Sequence, residues 1–416
     1  MRKVGGIRRA VVTGMGTVNP LGSTLDSYWE GLISGRSTAA PITGFRSERL
    51  VTKFACQIPD FDPLVYMDRK VAQRSARFAQ FAVASAGLAL QDSGLDLEAE
   101  DRFRVGVEMG TGIGGFEVMT EDAARFLNGG RLQPLYATMV IPNIAAAQVA
   151  MNFGLRGPNA TIATACAAST HSIGLAFRAI ERGDADVMLA AGSEASLCET
   201  GIAAFNAIKA LSTRNDDPAT ASRPFDRDRD GFVAGEGSGT LVLEELTHAR
   251  ERGARIYGEV LGFGCTNDAF HAVAPDASGT APARCIEIAL DDAGIAAEEV
   301  DYVNAHGTST GLNDAAETRA LKMALKEHAY RVPVSSTKSM IGHLLGAAGA
   351  VEGIATLLMM NRGMVHATIN QTTPDPECDL DYVPNVARPM QIRTAISNGF
   401  GFGGQNCTVV FRRLED

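Results

Sequence analysis

Ten short runs rich in β-branched and apolar residues recur along the chain, and they fall into two series of five. The first series is Arg9–Gly14, Val105–Gly110, Ala160–Thr164, Val187–Gly192 and Thr240–Glu244. The second is Ile256–Phe263, Val300–Ala305, Val332–Thr337, Thr394–Asn398 and Cys407–Phe411. Runs of this length and bias, ending in small residues or glycine, read as strands. Helical patterns lie between many of them: Arg74–Asp92, Cys166–Arg182, Pro282–Ala293, Asn313–Lys326 and Leu344–Asn361. Strands alternating with helices predict an α/β fold. In each series the third run leads into a helix with a small-residue start, TACAASTHSIGLAFRAI and TKSMIGHLLGAAGAVEGIATLL, which suggests an internal duplication. A boundary is expected at residues 245–255, dividing residues 1–250 from 251–416, with the halves sharing one core.

Cys166 sits at the first of these strand-to-helix corners, among Ala163, Ala165, Ala167, Ala168 and Ser169. Two readings fit. A cysteine among small residues is often a packing residue. A thiol at a helix N-terminus has its pKa lowered by the helix dipole, and the thiolate is the reactive form. The seven cysteines are scattered and never spaced C-x-x-C, which fits free thiols in a reducing compartment. The net charge of −10 argues against nucleic acid as a general partner. MRKVGGIRRAVVTG has no apolar core, so no secretory signal is expected. Leu344–Met360 is broken by glycines and Glu352 and reads as a buried helix rather than a membrane span. The expected location is the cytoplasm.

The remaining chemistry-bearing residues also follow strands. His306 follows the second run of the second series, Lys338 and His343 the third, and Phe402 the fourth. Ligands of α/β sheets collect at the carboxyl ends of strands, so one site can gather all of them with Cys166. Taken singly, His306 also reads as a turn-capping residue and His343 as a helix-terminus residue without a task. One cysteine and two histidines suit acyl-thioester chemistry: a thiolate takes the acyl group, and imidazole N–H donors hold a developing enolate or oxyanion. Lys338 and Glu317 are the expected buried charge pair. Three other motifs fail as ligand sites. VVTGMGTVNPLG has Asn19 where a dinucleotide fingerprint needs glycine. Asp226–Gly231 begins like a calcium loop but has Gly237 at its twelfth place. GTGIGG at 110–115 lacks the P-loop lysine and reads as close packing or a tunnel wall.

TACAAS, NAHGTST, SSTKSMIGHLLGAAGAVE, RPFDRDRDGFVAGEG and SNGFGFGGQN together resemble the β-ketoacyl-acyl-carrier-protein synthases, over essentially the whole chain. The elongating synthase II type is most similar, and polyketide ketosynthase subunits resemble it too. The resemblance implies a thiolase-like fold, an αβαβα sandwich of duplicated five-stranded halves, and a homodimer. It implies a catalytic set of Cys166, His306, His343, Lys338 and Glu317, without metal or free cofactor. An acyl chain moves from carrier-protein phosphopantetheine to Cys166, then condenses with decarboxylated malonyl-carrier protein. The backbone N–H groups of Cys166 and Phe402 would form the oxyanion hole, and Phe402 would gate the pocket. Thr308 and Thr310 would lie along the pantetheine arm. Phe400, Ile113 and Tyr136 would bind substrate, Tyr136 from the partner subunit. Lys70, Arg74 and Lys209 would dock the acidic carrier protein, with Gln73 standing where a base is common. The competing readings are a polyketide or other specialised ketosynthase, a thiolase, and a non-catalytic chain-length-factor-like partner. Thiolases need a second cysteine, which Cys407 matches poorly, and chain-length factors lack the nucleophile.

Overall fold

The computed structural model describes residues 8–414. Residues 1–7, part of the segment read above as lacking a leader core, lie outside the described residues. All ten expected strands are present: β1 Ala10–Val18, β2 Val105–Gly110, β3 Asn159–Ile162, β4 Val187–Glu194, β5 Gly237–Glu245, β6 Gly258–Asn267, β7 Tyr302–Asn304, β8 Val334–Ser335, β9 Thr394–Gly401 and β10 Gln405–Arg412. They form one mixed sheet in the order β8-β7-β9-β10-β6-β1-β5-β4-β2-β3. Each half repeats a single order, third-second-fourth-fifth-first. The parallel and antiparallel pairings repeat too: β2 runs parallel to β3 and β4, and β7 runs parallel to β8 and β9. The halves join through β1 and β6, which pair antiparallel over Ala10–Val12 only.

Six helices complete the layers: α1 Arg77–Ser93, α2 Ile144–Phe153, α3 Ala168–Arg182, α4 Thr280–Ala293, α5 Gly311–Leu325 and α6 Ala348–Arg362. The pair α3 and α6 packs between the two half-sheets, touching strands of both. Outside them lie α1 and α2 on the first half and α4 and α5 on the second. This is the expected αβαβα sandwich. The middle layer buries one apolar core drawn from both halves, including Ile173, Ile180, Leu241, Val351, Leu358 and Phe411. Glycine in a left-handed conformation stops α1, α2, α3, α4 and α6, at Gly94, Gly154, Gly183, Gly294 and Gly363.

The Gly14–Gly16 pair, rejected above as a dinucleotide motif, has a packing role. A Cβ at Gly14 would lie 2.4 Å from Ala89 O, and one at Gly16 would lie 2.2 Å from Ser85 O. Gly262 and Gly264 repeat the arrangement against Ala289 O and Cys285 O, at 2.4 and 2.2 Å. Each half therefore seats its outer helix on a glycine pair of its first strand. Among the described residues, no helix is long and apolar enough to cross a membrane.

Candidate active site

The two central helices begin alike. A single 3-10 turn, Ala165–Ala167, precedes α3, and Leu345–Ala347 precedes α6. Ala165 and Leu345 open these turns with φ of +50° and +48°. Cys166 and Gly346 thus occupy equivalent corners. Strand glycines press on the first corner. A Cβ at Gly110 would sit 2.4 Å from Ser169 N, one at Gly399 2.4 Å from Thr170 Oγ1, and one at Gly401 3.1 Å from Cys166 N. The residues flanking Cys166 in sequence are small because helix and strands meet backbone to backbone there, while bulkier Ile202, Phe232 and Leu345 pack around the thiol from other segments. At the second corner a side chain has no space, since a Cβ at Gly346 would fall 2.2 Å from Gly112 N.

Cys166 opens into a cavity of about 450 Å³. His306, His343, Phe400, Phe402, Thr308, Thr310, Glu317 and Lys209 share its lining. The two imidazoles stand edge to face with ring centres 5.4 Å apart. His343 is buried and packs edge-on against Phe232 at 5.3 Å. Its backbone is pinned by a hydrogen bond from its N–H to Val233 O at 2.7 Å. The Leu345 N–H donates to His343 Nδ1 at 3.2 Å, so Nδ1 carries the lone pair and Nε2 the proton. His306 follows β7 and is held through its backbone. Glu317 of α5 accepts the His306 and Gly307 N–H groups, both at 2.8 Å, and Asn398 Nδ2 donates to the same carboxylate at 3.2 Å. Asp314, one turn earlier, accepts the Thr308 N–H at 3.0 Å. Burial holds both histidines neutral, well below the usual imidazole range, and the Lys338 ammonium adds to this.

The expected Lys338–Glu317 pair is not formed. Lys338 Nζ donates to Glu352 Oε1 at 2.5 Å, with both side chains almost completely buried. The reason is topological: Glu317 is taken up by the backbone of the His306 loop, while α6 carries Glu352 past Lys338. Sequence reasoning noted Glu352 only as an interruption of an apolar run. A lone charge in a buried helix requires a counter-ion, and that was the available signal. Glu194, at the end of β4, was also missed. Its carboxylate is fully buried and accepts from Gly112 N at 2.5 Å and Gly346 N at 3.1 Å. Burial pushes it up to about 7. It ties the GTGIGG loop to the start of α6.

The resting thiol also departs from expectation. Burial pushes Cys166 up to about 12, and the opposing Lys338 charge and Phe402 N–H do not restore it. Desolvation therefore outweighs the expected lowering. The N–H groups of Phe402 and of Cys166 itself are directed at this sulfur.

The other predicted residues lie apart from the cavity lining. Ile113 is half-buried in the GTGIGG loop. Tyr136 donates to Met119 O at 3.2 Å within its own chain. Lys70 and Arg74 are exposed on and just beyond the short helix Arg69–Ala72. In the acidic loop, Asp226 accepts the Asp228, Thr372 and Thr373 N–H groups and Arg223 Nε. Its neighbour Arg229 reaches Thr310 O, Gly311 O and Asp375, bracing the Thr308–Gly311 segment.

Residues 8–249 match the model of the β-ketoacyl synthase N-terminal domain, and residues 257–372 that of the C-terminal domain. A 3-oxoacyl-[acyl-carrier-protein] synthase 2 of Synechocystis sp. is 48% identical over 98% of this chain and 99% of its own length. One from Coxiella burnetii is 46% identical with the same coverage. Among solved structures, a β-ketoacyl synthase from Burkholderia phymatum superposes with a TM-score of 0.92 at 38% identity, covering 98% of this chain and 100% of that one. A type II polyketide ketosynthase complexed with its acyl-carrier protein gives 0.92 at 38% identity, covering 99% and 100%.

Proposed function

The chain belongs to the β-ketoacyl synthase family, and from that premise we propose that Cys166, His306 and His343 carry out a decarboxylative condensation in the cavity described above. The enzyme is an acyltransferase of the elongating kind in fatty acid synthesis, a 3-oxoacyl-carrier-protein synthase. It uses no cofactor of its own, because its acyl groups arrive on the phosphopantetheine of acyl carrier protein. The observation that carries the residue assignment is the convergence of one thiol and two neutral imidazoles on a single cavity.

In the first half-reaction the Cys166 sulfur attacks the acyl thioester. The acyl carbon–sulfur bond to the arm breaks, and the thiol proton leaves with the arm as free phosphopantetheine thiol. The Phe402 and Cys166 N–H groups hold the tetrahedral oxyanion. In the second, malonyl-carrier protein loses carbon dioxide and leaves an enolate. His343 Nε2–H and the His306 imidazole stabilise that charge. Neutral imidazoles suit this task, since they donate a hydrogen bond without protonating the nucleophilic carbon. The enolate carbon attacks the acyl-Cys166 carbonyl, the Cys166 sulfur leaves, and the product is a 3-ketoacyl chain two carbons longer. Thr308 and Thr310, whose hydroxyls lie 3.0 Å apart in the cavity wall, line the arm. Phe402 turns at the same wall as a gate, beside Phe400.

Ile113 and Tyr136 belong, in this proposal, to a deeper acyl tunnel completed by a second copy. A homodimer is supported by the exposed edge strand β3 and by exposed Phe126, Leu127 and Leu135 on that half. The halves divide at 245–255, between the end of β5 and the start of β6. We place the enzyme in the cytoplasm, where its carrier substrates are made.

The experiment is the intact mass of the protein after incubation with long-chain acyl-carrier protein, with Cys166→Ala alongside. A gain of one acyl group on the native chain alone is expected, followed by turnover on adding malonyl-carrier protein. Absence of any gain across chain lengths overturns the reading and favours a non-catalytic partner.

A further inference from the structure

We propose that Cys265 and Cys407 form a redox-active dithiol, a modification site separate from the nucleophile and closed to a disulfide by a mild peroxide-type oxidant. The two residues face each other across the antiparallel pair β6–β10. Asp268 N donates to Gly404 O at 2.9 Å, so that pair is hydrogen-bonded. Pairs alternate along an antiparallel ladder, which makes Thr266–Asn406 hydrogen-bonded and Cys265–Cys407 non-hydrogen-bonded. In non-hydrogen-bonded pairs the Cα atoms approach to about 4.5 Å and the side chains are closest. That separation falls within the disulfide range of about 4.4–6.8 Å.

Both sulfurs lie on one face of the sheet, because directly opposite residues share a face. It is the inner face, where Phe263 and Val409 pack into the central core beside Cys407. Cys265 is exposed and Cys407 is buried, and both are free thiols. The third cysteine of this region, Cys285, is on the other face: its sulfur donates to Gly264 O at 3.3 Å and lies 3.6 Å from Thr408 Oγ1. The sheet thus separates Cys285 from the proposed pair.

The chemistry balances without a further component. Peroxide oxidises the exposed Cys265 thiol to a sulfenic acid and releases one water. The Cys407 sulfur attacks the sulfenic sulfur, the S–S bond forms, and the second water leaves; the two electrons have passed to peroxide. The bridge would staple β10, which leaves the Gly401–Gly404 turn bearing Phe402, to β6, which enters the Asp268–Pro275 segment. Asp268, His271 and Phe402 all line the cavity. The inference does not rest on the reaction proposed above.

The test treats Cys166→Ala, whose reactive-site thiol is absent, with hydrogen peroxide and digests it without reduction. A peptide linking residues of β6 to residues of β10 through Cys265 and Cys407 is expected, with the loss of two hydrogens in intact mass. Dithiothreitol should reverse both, and Cys265→Ser should abolish them. The linked peptide is sought in the native chain as well, in case Cys166→Ala folds poorly. A Cys265–Cys285 link, a link between chains, oxygen gain at Cys265 without a link, or unchanged thiols would each overturn the proposal.

Discussion

At Cys166 two opposing influences meet on one atom. Burial holds the proton on, and the Lys338 charge with the Phe402 N–H works to release it. Lys338→Met deletes the charge and is expected to slow iodoacetamide alkylation of Cys166 by about tenfold near neutral pH, the effect of about one pKa unit. The same change leaves Glu352 buried without its counter-ion, which costs about 3–5 kcal/mol. Because the counter-ion is Glu352 and not Glu317, adding Glu352→Gln should recover much of that loss in urea unfolding, and adding Glu317→Gln should recover none. Recovery by Glu317→Gln would contradict the pairing. A second residue gives a pH signature. Glu108 faces the central layer two residues before Gly110, and burial pushes its carboxyl up to about 7. The native state therefore binds a proton more tightly than the unfolded chain. Stability from this group is complete below the unfolded value near 4.5 and is lost as pH rises through about 7. Glu108→Gln stays neutral, so in urea unfolding it should match the native stability near pH 4.5 and exceed it at pH 8, by roughly 1–3 kcal/mol. Equal stability at pH 8 would show that a cation compensates Glu108.

The elements were legible in the sequence because local signals agreed with the tertiary demand. Val187–Gly192 and Thr394–Asn398 are β-rich runs closed by small residues, and they became β4 and β9 with ends shifted by a few residues. Helix ends were equally plain, since Gly183 and Gly363 do at α3 and α6 what only a left-handed residue does well. What stayed hidden depended on which element packs where. Glu352 and Lys338 are fourteen residues apart on different helices, and only the passage of α6 brings them together. The convergence of Cys166, His306 and His343 was inferable from their shared place at strand ends; the burial that keeps the thiol protonated was not. Helix-to-strand contact also makes the site sensitive to one methyl group. Gly110→Ala places a Cβ 2.4 Å from Ser169 N, against backbone that has no room to yield. A loss of about 2–4 kcal/mol is expected on urea unfolding, with slower acyl loading as α3 shifts and carries Cys166 with it. Unchanged stability would mean that the sheet and α3 can separate at that point.

The whole molecule presents an electrostatic problem. It carries a net charge of −10, and the family resemblance implies that the carrier protein it receives is acidic as well. Long-range repulsion between the two must be overcome by a local positive region near the cavity mouth. Lys209 meets the geometric requirement most directly, since it is exposed and forms part of the cavity lining. Its backbone holds a left-handed conformation, φ +54°, between the helix Glu199–Ala207 and the strand-like segment at Leu211. Lys70 and Arg74 are exposed but lie outside the cavity lining, and Gln73 between them adds no charge. Lys209→Glu should therefore weaken carrier use more than Lys70→Glu. The expected change is a roughly tenfold fall in kcat/KM for acyl-carrier protein at low ionic strength, mostly in KM, shrinking as salt screens the contact over about 10 Å. A small thioester lacking the carrier, such as an acyl-pantetheine, should load Cys166 at the native rate in the same variant. Equal losses with carrier-bound and carrier-free substrates would assign Lys209 to the cavity wall rather than to docking. A loss indifferent to salt would remove the electrostatic argument altogether.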